Sequence, residues 1–111
     1  MQLTETAGLV VVEMPGNPHE AGSTAMLDRG HVDHLALEAP TPAVLDELRR
    51  RLVTAGASDG TVNDYGPMLS VYFVDPDGMG CEVCWIRDRS FAGFHPPEVF
   101  TGALADLGPA D

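Results

Sequence analysis

Residues 68–87 read MLSVYFVDPDGMGCEVCWIR, and this stretch constrains the fold more than any other. Two apolar, β-branched runs flank a DPDG turn, with Pro76 fixing φ and Gly78 free to take positive φ. The pattern predicts strands at Met68 to Val74 and Met79 to about Arg87. Residues three apart on a strand point to opposite faces. Cys81 and Cys84 therefore cannot share one ion, and no second pair exists to complete a zinc ribbon. A thioredoxin-type reading fails too, because it needs its CxxC at a helix start. Cys81, Val83 and Trp85 fall on one face and suit packing under a helix. Glu82, Cys84 and Ile86 fall on the other, which leaves Glu82 as a carboxylate directed away from the core.

The helix for that face is predicted between Thr41 and Gly56. Thr41 can cap it, Pro42 suits the first helical position, and Gly56 can take the left-handed conformation that ends it. Val44, Leu48, Leu52 and Ala55 form a stripe at helical spacing, broadened by Leu45. Asp46 with Arg50, and Glu47 with Arg51, make i,i+4 pairs on the solvated side. Ahead of it, HVDHLALEA (His31 to Ala39) alternates as a strand, with Leu35 and Leu37 on one face and His34, Ala36 and Glu38 on the other. GLVVVEM (Gly8 to Met14) reads as a buried strand ended by Pro15 to Pro18, and His19 to Arg29 as a loop. A weak polar strand is expected at Thr61 to Tyr65. In the tail, a short amphipathic helix opened by Pro97 would present Val99, Phe100, Ala103, Leu104 and Leu107.

The 111 residues hold seventeen carboxylates against six arginines and no lysine, for a net charge of −11. Nucleic acid is a poor partner for such a chain, since phosphate binding needs clustered cations. P-loop and Schiff-base lysine chemistry are excluded. No run approaches the roughly 18 apolar residues of a membrane span. Two cysteines and a start without a basic or apolar leader lead us to expect a cytoplasmic setting.

Strand parity puts His34 and Glu82 on the non-core faces of their strands. A histidine and a carboxylate facing one concavity can bind a divalent metal through nitrogen and oxygen. On spacing alone, a surface histidine and a surface glutamate on an acidic protein remain the plainer reading.

The order strand, helix, strand, strand, strand resembles the βαβββ module of the vicinal oxygen chelate superfamily, which includes glyoxalases, extradiol dioxygenases, and fosfomycin and bleomycin resistance proteins. DHLALEA (Asp33 to Ala39), LRRRLVTAGA (Leu48 to Ala57) and SVYFVDPDGMGCEV (Ser70 to Val83) carry the resemblance. It implies an α+β fold: a curled mixed sheet with the helix on its convex face, plus an extra N-terminal strand and a short C-terminal helix. The implied organisation is a remnant of a preceding module at 1–30, a complete module at 31–90 and a tail at 91–111. The ligand histidine of the first strand matches His34, and the ligand glutamate of the last strand matches Glu82. Glu13 falls where glyoxalase-like members place another ligand. His19, His31 and His95 are read as solvated, and one of Tyr72 and Phe73 should line the pocket.

The implied function is a glyoxalase-like, metal-dependent lyase or isomerase acting on a small substrate with vicinal oxygens. His34, Glu82 and Glu13 would hold Zn, Ni, Mn or Fe, with Glu82 or Glu13 also acting as catalytic base. A homodimer completing the cup is the expected partner state. The alternatives are a metal-free, drug-binding dimer of the bleomycin-resistance kind and an extradiol-type dioxygenase, whose second histidine this chain does not supply. A module without a site, serving as a dimerising partner, is the third.

Overall fold

The computed structural model describes Pro15 and residues 32–108. Glu13, His19, His31 and the strand expected at Gly8 to Met14 lie outside the described residues. The chain divides into two compact units, Met1–Val32 and Asp33–Asp111, and the fold below is that of the second.

It is an α+β fold with one helix and an open, mixed five-stranded sheet. The elements run β1 (Leu35–Glu38), α1 (Pro42–Thr54), β2 (Asn63–Asp64), β3 (Met68–Val74), β4 (Gly80–Ile86), β5 (Glu98–Val99) and a 3₁₀ turn at Leu104–Leu107. The sheet order is β1-β4-β3-β2-β5. Strands β1 and β4 pair in parallel, with Ala36 opposite Glu82, and the other pairs are antiparallel. A parallel pair needs a long crossover between its strands, and α1 with the β2–β3 segment supplies it.

The DPDG hairpin forms as its chemistry dictates. Gly78 has φ +84° and its N–H donates to Asp75 O, while Asp75 Oδ1 accepts from the N–H groups of Asp77 and Met79. The helix ends are equally local. Thr41 Oγ1 accepts from Val44 N, and Gly56 (φ +72°) closes the helix with bonds from Gly56 N to Val53 O and Ala57 N to Leu52 O. These bonds satisfy carbonyls that the helix end would otherwise orphan. The expected pairs Asp46–Arg50 and Glu47–Arg51 are present.

The core lies between α1 and one sheet face, where Leu45, Leu69, Val71 and Val83 are buried with Ala39, Val62 and Leu104. Phe73 and Trp85 pack against this cluster, as parity required. The predicted stripe holds at Leu45, which is fully buried, and at Leu48 and Leu52 beside it, whereas Val44 and Ala55 are exposed. Strand β1 also departs from expectation. Leu35 and Leu37 sit on the helix side by register, yet they are 51% and 54% exposed. The reason is position: α1 packs over β3 and β4 and does not reach β1.

The tail differs as well. Its first part is β5, paired to β2, so Val99 is exposed and only the later part is helical. Phe100 N donates to Val62 O, and Gly102 lies so close under the Phe100 ring that a Cβ there would stand 2.8 Å from it. Among the described residues no helix is long and apolar enough to cross a membrane.

Candidate functional site

The sheet face away from the helix is organised in rows. Ala36, Glu82 and Tyr72 align across β1, β4 and β3, and the next row holds Glu38, Cys84, Ser70 and Asn63. His34 immediately precedes β1 and packs beside Gly80 of β4; a Cβ on that glycine would stand 3.7 Å from His34 Cβ. The close approach of β1 to β4 thereby brings the imidazole toward Glu82.

The two expected ligands meet. His34 Nε2 lies 2.8 Å from Glu82 Oε2, and on its other side Nδ1 lies 2.7 Å from Asp33 Oδ2. Glu82 is not the surface carboxylate that spacing alone suggested: the residue is 3% exposed. Its second oxygen, Oε1, is buried with no hydrogen-bond partner among the described residues. The bond to Asp33 is the largest influence raising the His34 pKa above the ordinary imidazole range. Partial burial works against it, and the charge and hydrogen bond of Glu82 add to it. In the protonated form the ring donates to both carboxylates at once.

Around this pair stand aromatic rings. Tyr72 meets His34 edge-on at 5.3 Å, its hydroxyl lies 3.1 Å from that of Tyr65, and Tyr65 stacks on Phe94. Tyr72, not Phe73, is thus the member of that dipeptide on the site face. Burial, followed by the Tyr65 hydrogen bond, pushes the Tyr72 phenol up. Cys84 sits one row from Glu82, and burial, with Glu82 and Glu38 nearby, raises its thiol to about 11. It stays protonated and inert near neutrality. Ser70 is fully buried, and its Oγ has no partner either. His95 bonds to the carbonyl of Pro96 through Nδ1 and has no part in the pair.

Asp33, Tyr65 and Ser70 escaped the sequence reading. Asp33 stands next to His34, and an acidic neighbour of a ligand histidine was a signal that could have been followed. Tyr65 and Ser70 gave none, since neither hydroxyl differs in pattern from a surface one.

The donor set can be compared with what a metal needs. Among the described residues no group of three His, Cys, Asp or Glu side chains could hold an ion. His34 and Glu82 are two donors of the right chemistry. Asp33 orients the ring through Nδ1, the usual outer-shell partner of a ligand histidine. The orphaned Glu82 Oε1 lacks the counter-charge that an ion would bring. Two of the donors that a divalent ion takes are thus together among the described residues, short of the three of a catalytic zinc site.

No protein-family model matches this chain, and no curated protein does. Among solved structures, it is similar to a glyoxylase/bleomycin resistance protein/dioxygenase domain from Frankia sp. EAN1pec, at 28% identity and a TM-score of 0.46. The match covers 64% of this chain and 54% of that one, so this chain spans about half the length of the structure it matches.

Proposed function

We propose that the chain is a glyoxalase-like module in which His34 and Glu82 hold a divalent ion and act on a small substrate with vicinal oxygens. The observation that carries this reading is the 2.8 Å approach of His34 Nε2 to Glu82 Oε2 with Glu82 Oε1 buried and unpartnered. An ion bound there would supply Lewis acidity to two adjacent substrate oxygens. Asp33 fixes the imidazole with its Nδ1 proton outward, which leaves the Nε2 lone pair for the ion. The Glu82 carboxylate would be the base that takes the proton of a carbon acid. The result is a lyase or isomerase activity. A second copy of the chain completes the cup, and the exposed Leu35 and Leu37 of β1, an edge strand among the described residues, support such pairing.

A metal-free binding reading also has an observation in its favour. With His34 protonated, its pairs with Asp33 and Glu82 are complete without an ion, and the exposed faces of Tyr72 and Phe94 offer apolar surface to a ligand.

Metal analysis of chelator-free protein separates the two readings. We expect stoichiometric metal in the native chain and its loss in Glu82→Ala and His34→Ala. Native protein devoid of metal, or metal retained by both variants, would overturn the metal-dependent reading. Sedimentation analysis tests the dimer, and a monomer at all concentrations would remove it.

A further inference from the structure

We propose that Asp77 is a site of spontaneous isoaspartate formation: the Asp77–Gly78 step of the hairpin converts, while the fold holds back the chain's other Asp–Gly step, Asp59–Gly60.

Asp–Gly occurs twice in the sequence. Such a step isomerises readily because glycine has no side chain to shield its nitrogen from the preceding carboxyl. The glycine nitrogen gives up its proton and attacks the aspartate side-chain carbon, Cγ. A C–N bond forms, the C–OH bond of the protonated carboxyl breaks, and water leaves, closing a succinimide ring. Water then adds at the main-chain carbonyl of the ring and breaks its bond to the glycine nitrogen. The main chain now runs through Cγ, a methylene longer, and the composition is unchanged. The reaction needs no oxidant and no co-reactant other than water.

The amides do not separate the two steps. Gly78 N donates to Asp75 O at 3.0 Å, and Gly60 N donates to Ser58 Oγ at 3.1 Å. The carboxyls do. Asp59 Oδ1 accepts from Thr61 N at 2.8 Å, a local bond that holds the side chain against the backbone ahead of it. That bond also lowers the Asp59 pKa, so the protonated carboxyl that can lose water is scarcer there. In the hairpin the pinned carboxylate is Asp75, which takes the N–H groups of Asp77 and Met79. The Asp77 carboxyl itself has no hydrogen bond among the described residues.

Space points the same way. A Cβ at Gly60 would stand 2.8 Å from Val53 Cγ2, so that backbone is packed against the helix. At Gly78 nothing lies within 4 Å of the same position, and Asp77 and Gly78 are both exposed. A ring can close at the hairpin tip without displacing a neighbour. The turn also sets the register that pairs Val74 with Gly80, and a lengthened turn strains that pair.

Incubation of the full chain for weeks at physiological temperature and neutral pH, beside a sample unfolded in urea, tests the proposal. Isoaspartate is read by methylation with an isoaspartyl methyltransferase and placed by electron-transfer fragmentation of the peptides. The unfolded chain should convert at both steps, and the folded protein several times more at Asp77 than at Asp59. Asp77→Glu should remove the folded-state signal, because its side chain would have to close a larger and slower ring. The isomerised protein, separated by chromatography, should melt below the unaged protein. Equal conversion at the two steps in the folded protein, or more at Asp59, would overturn the proposal. So would no conversion at Asp77 over a time in which the unfolded chain converts there. An unchanged melting temperature would overturn the strain assigned to the register.

Discussion

Forty-eight residues separate His34 from Glu82 in the chain, yet Nε2 of one and Oε2 of the other are 2.8 Å apart. Parallel pairing of β1 with β4 is what closes that separation, because it lays the start of the module beside its last strand. A hairpin could not do this, since its neighbours are neighbours in sequence. The site is thus a product of the crossover, and its chemistry follows from putting an imidazole against a carboxylate that has left water.

The pair makes stability depend on pH. The His34 pKa is raised above its unfolded value of about 6.5 by Asp33 and Glu82. A raised pKa means that the folded state holds the proton more tightly. The stabilisation is therefore fully present below about 6.5 and is lost as pH rises through the folded value. We expect the melting temperature of the metal-free native protein to fall across that window and that of His34→Gln to stay flatter. NMR titration of the imidazole should show its pKa drop in both Asp33→Asn and Glu82→Gln. An imidazole titrating at or below 6.5 in the native chain would contradict this account.

Ser70 lends itself to a sharper test. Its Oγ is buried without a partner, so the hydroxyl incurs a desolvation cost without a compensating bond. Ser70→Ala should leave stability unchanged or raise it by up to about 1 kcal/mol in urea denaturation. A loss beyond about 1 kcal/mol would mean that the hydroxyl is satisfied in solution, by water or by a ligand.

Gly56 closes the helix at φ +72° with nothing within 4 Å of where a Cβ would stand. The cost of Gly56→Ala is then conformational only, about 1 kcal/mol. Denaturant midpoints would measure it, and a much larger loss would point to a steric clash that this geometry does not contain.

Local chemistry was legible in the sequence and position in the sheet was not. Thr41, Pro42 and Gly56 act on neighbours within a turn, so the helix ends read correctly. DPDG carries its own turn, and strand parity separated Val83 from Glu82 with no tertiary information. What periodicity cannot reveal is which elements lie over which. Leu35 and Leu37 alternate like core residues, but nothing in their spacing says that α1 covers β3 and β4 instead of β1. Asp33, adjacent to His34 in the chain, was within reach of the sequence. Glu82 reads as a surface carboxylate because strand parity gives the face of a side chain and not its burial. The tail illustrates the same limit: Val99 fits an apolar helical stripe, and pairing with β2 overrides that pattern.

The contrast between Val44 and Leu45 on the helix gives the last prediction. Val44 and Leu45 are adjacent, both apolar, and about 100° apart around the helix axis. Leu45 points into the cluster formed by Leu69, Val71 and Val83 and is fully buried, while Val44 stands on the flank, well exposed. Leu45→Ala removes methyl groups from packed surroundings and leaves a cavity, which should cost about 2–5 kcal/mol. Val44→Ala removes groups that already touch water and gains helix propensity, so its effect should lie within about 0.5 kcal/mol of zero. Parallel urea titrations of the two variants decide the matter. Comparable losses at both positions would mean that α1 is rotated from the orientation described, and the rows of the opposite face would then need to be redrawn with it.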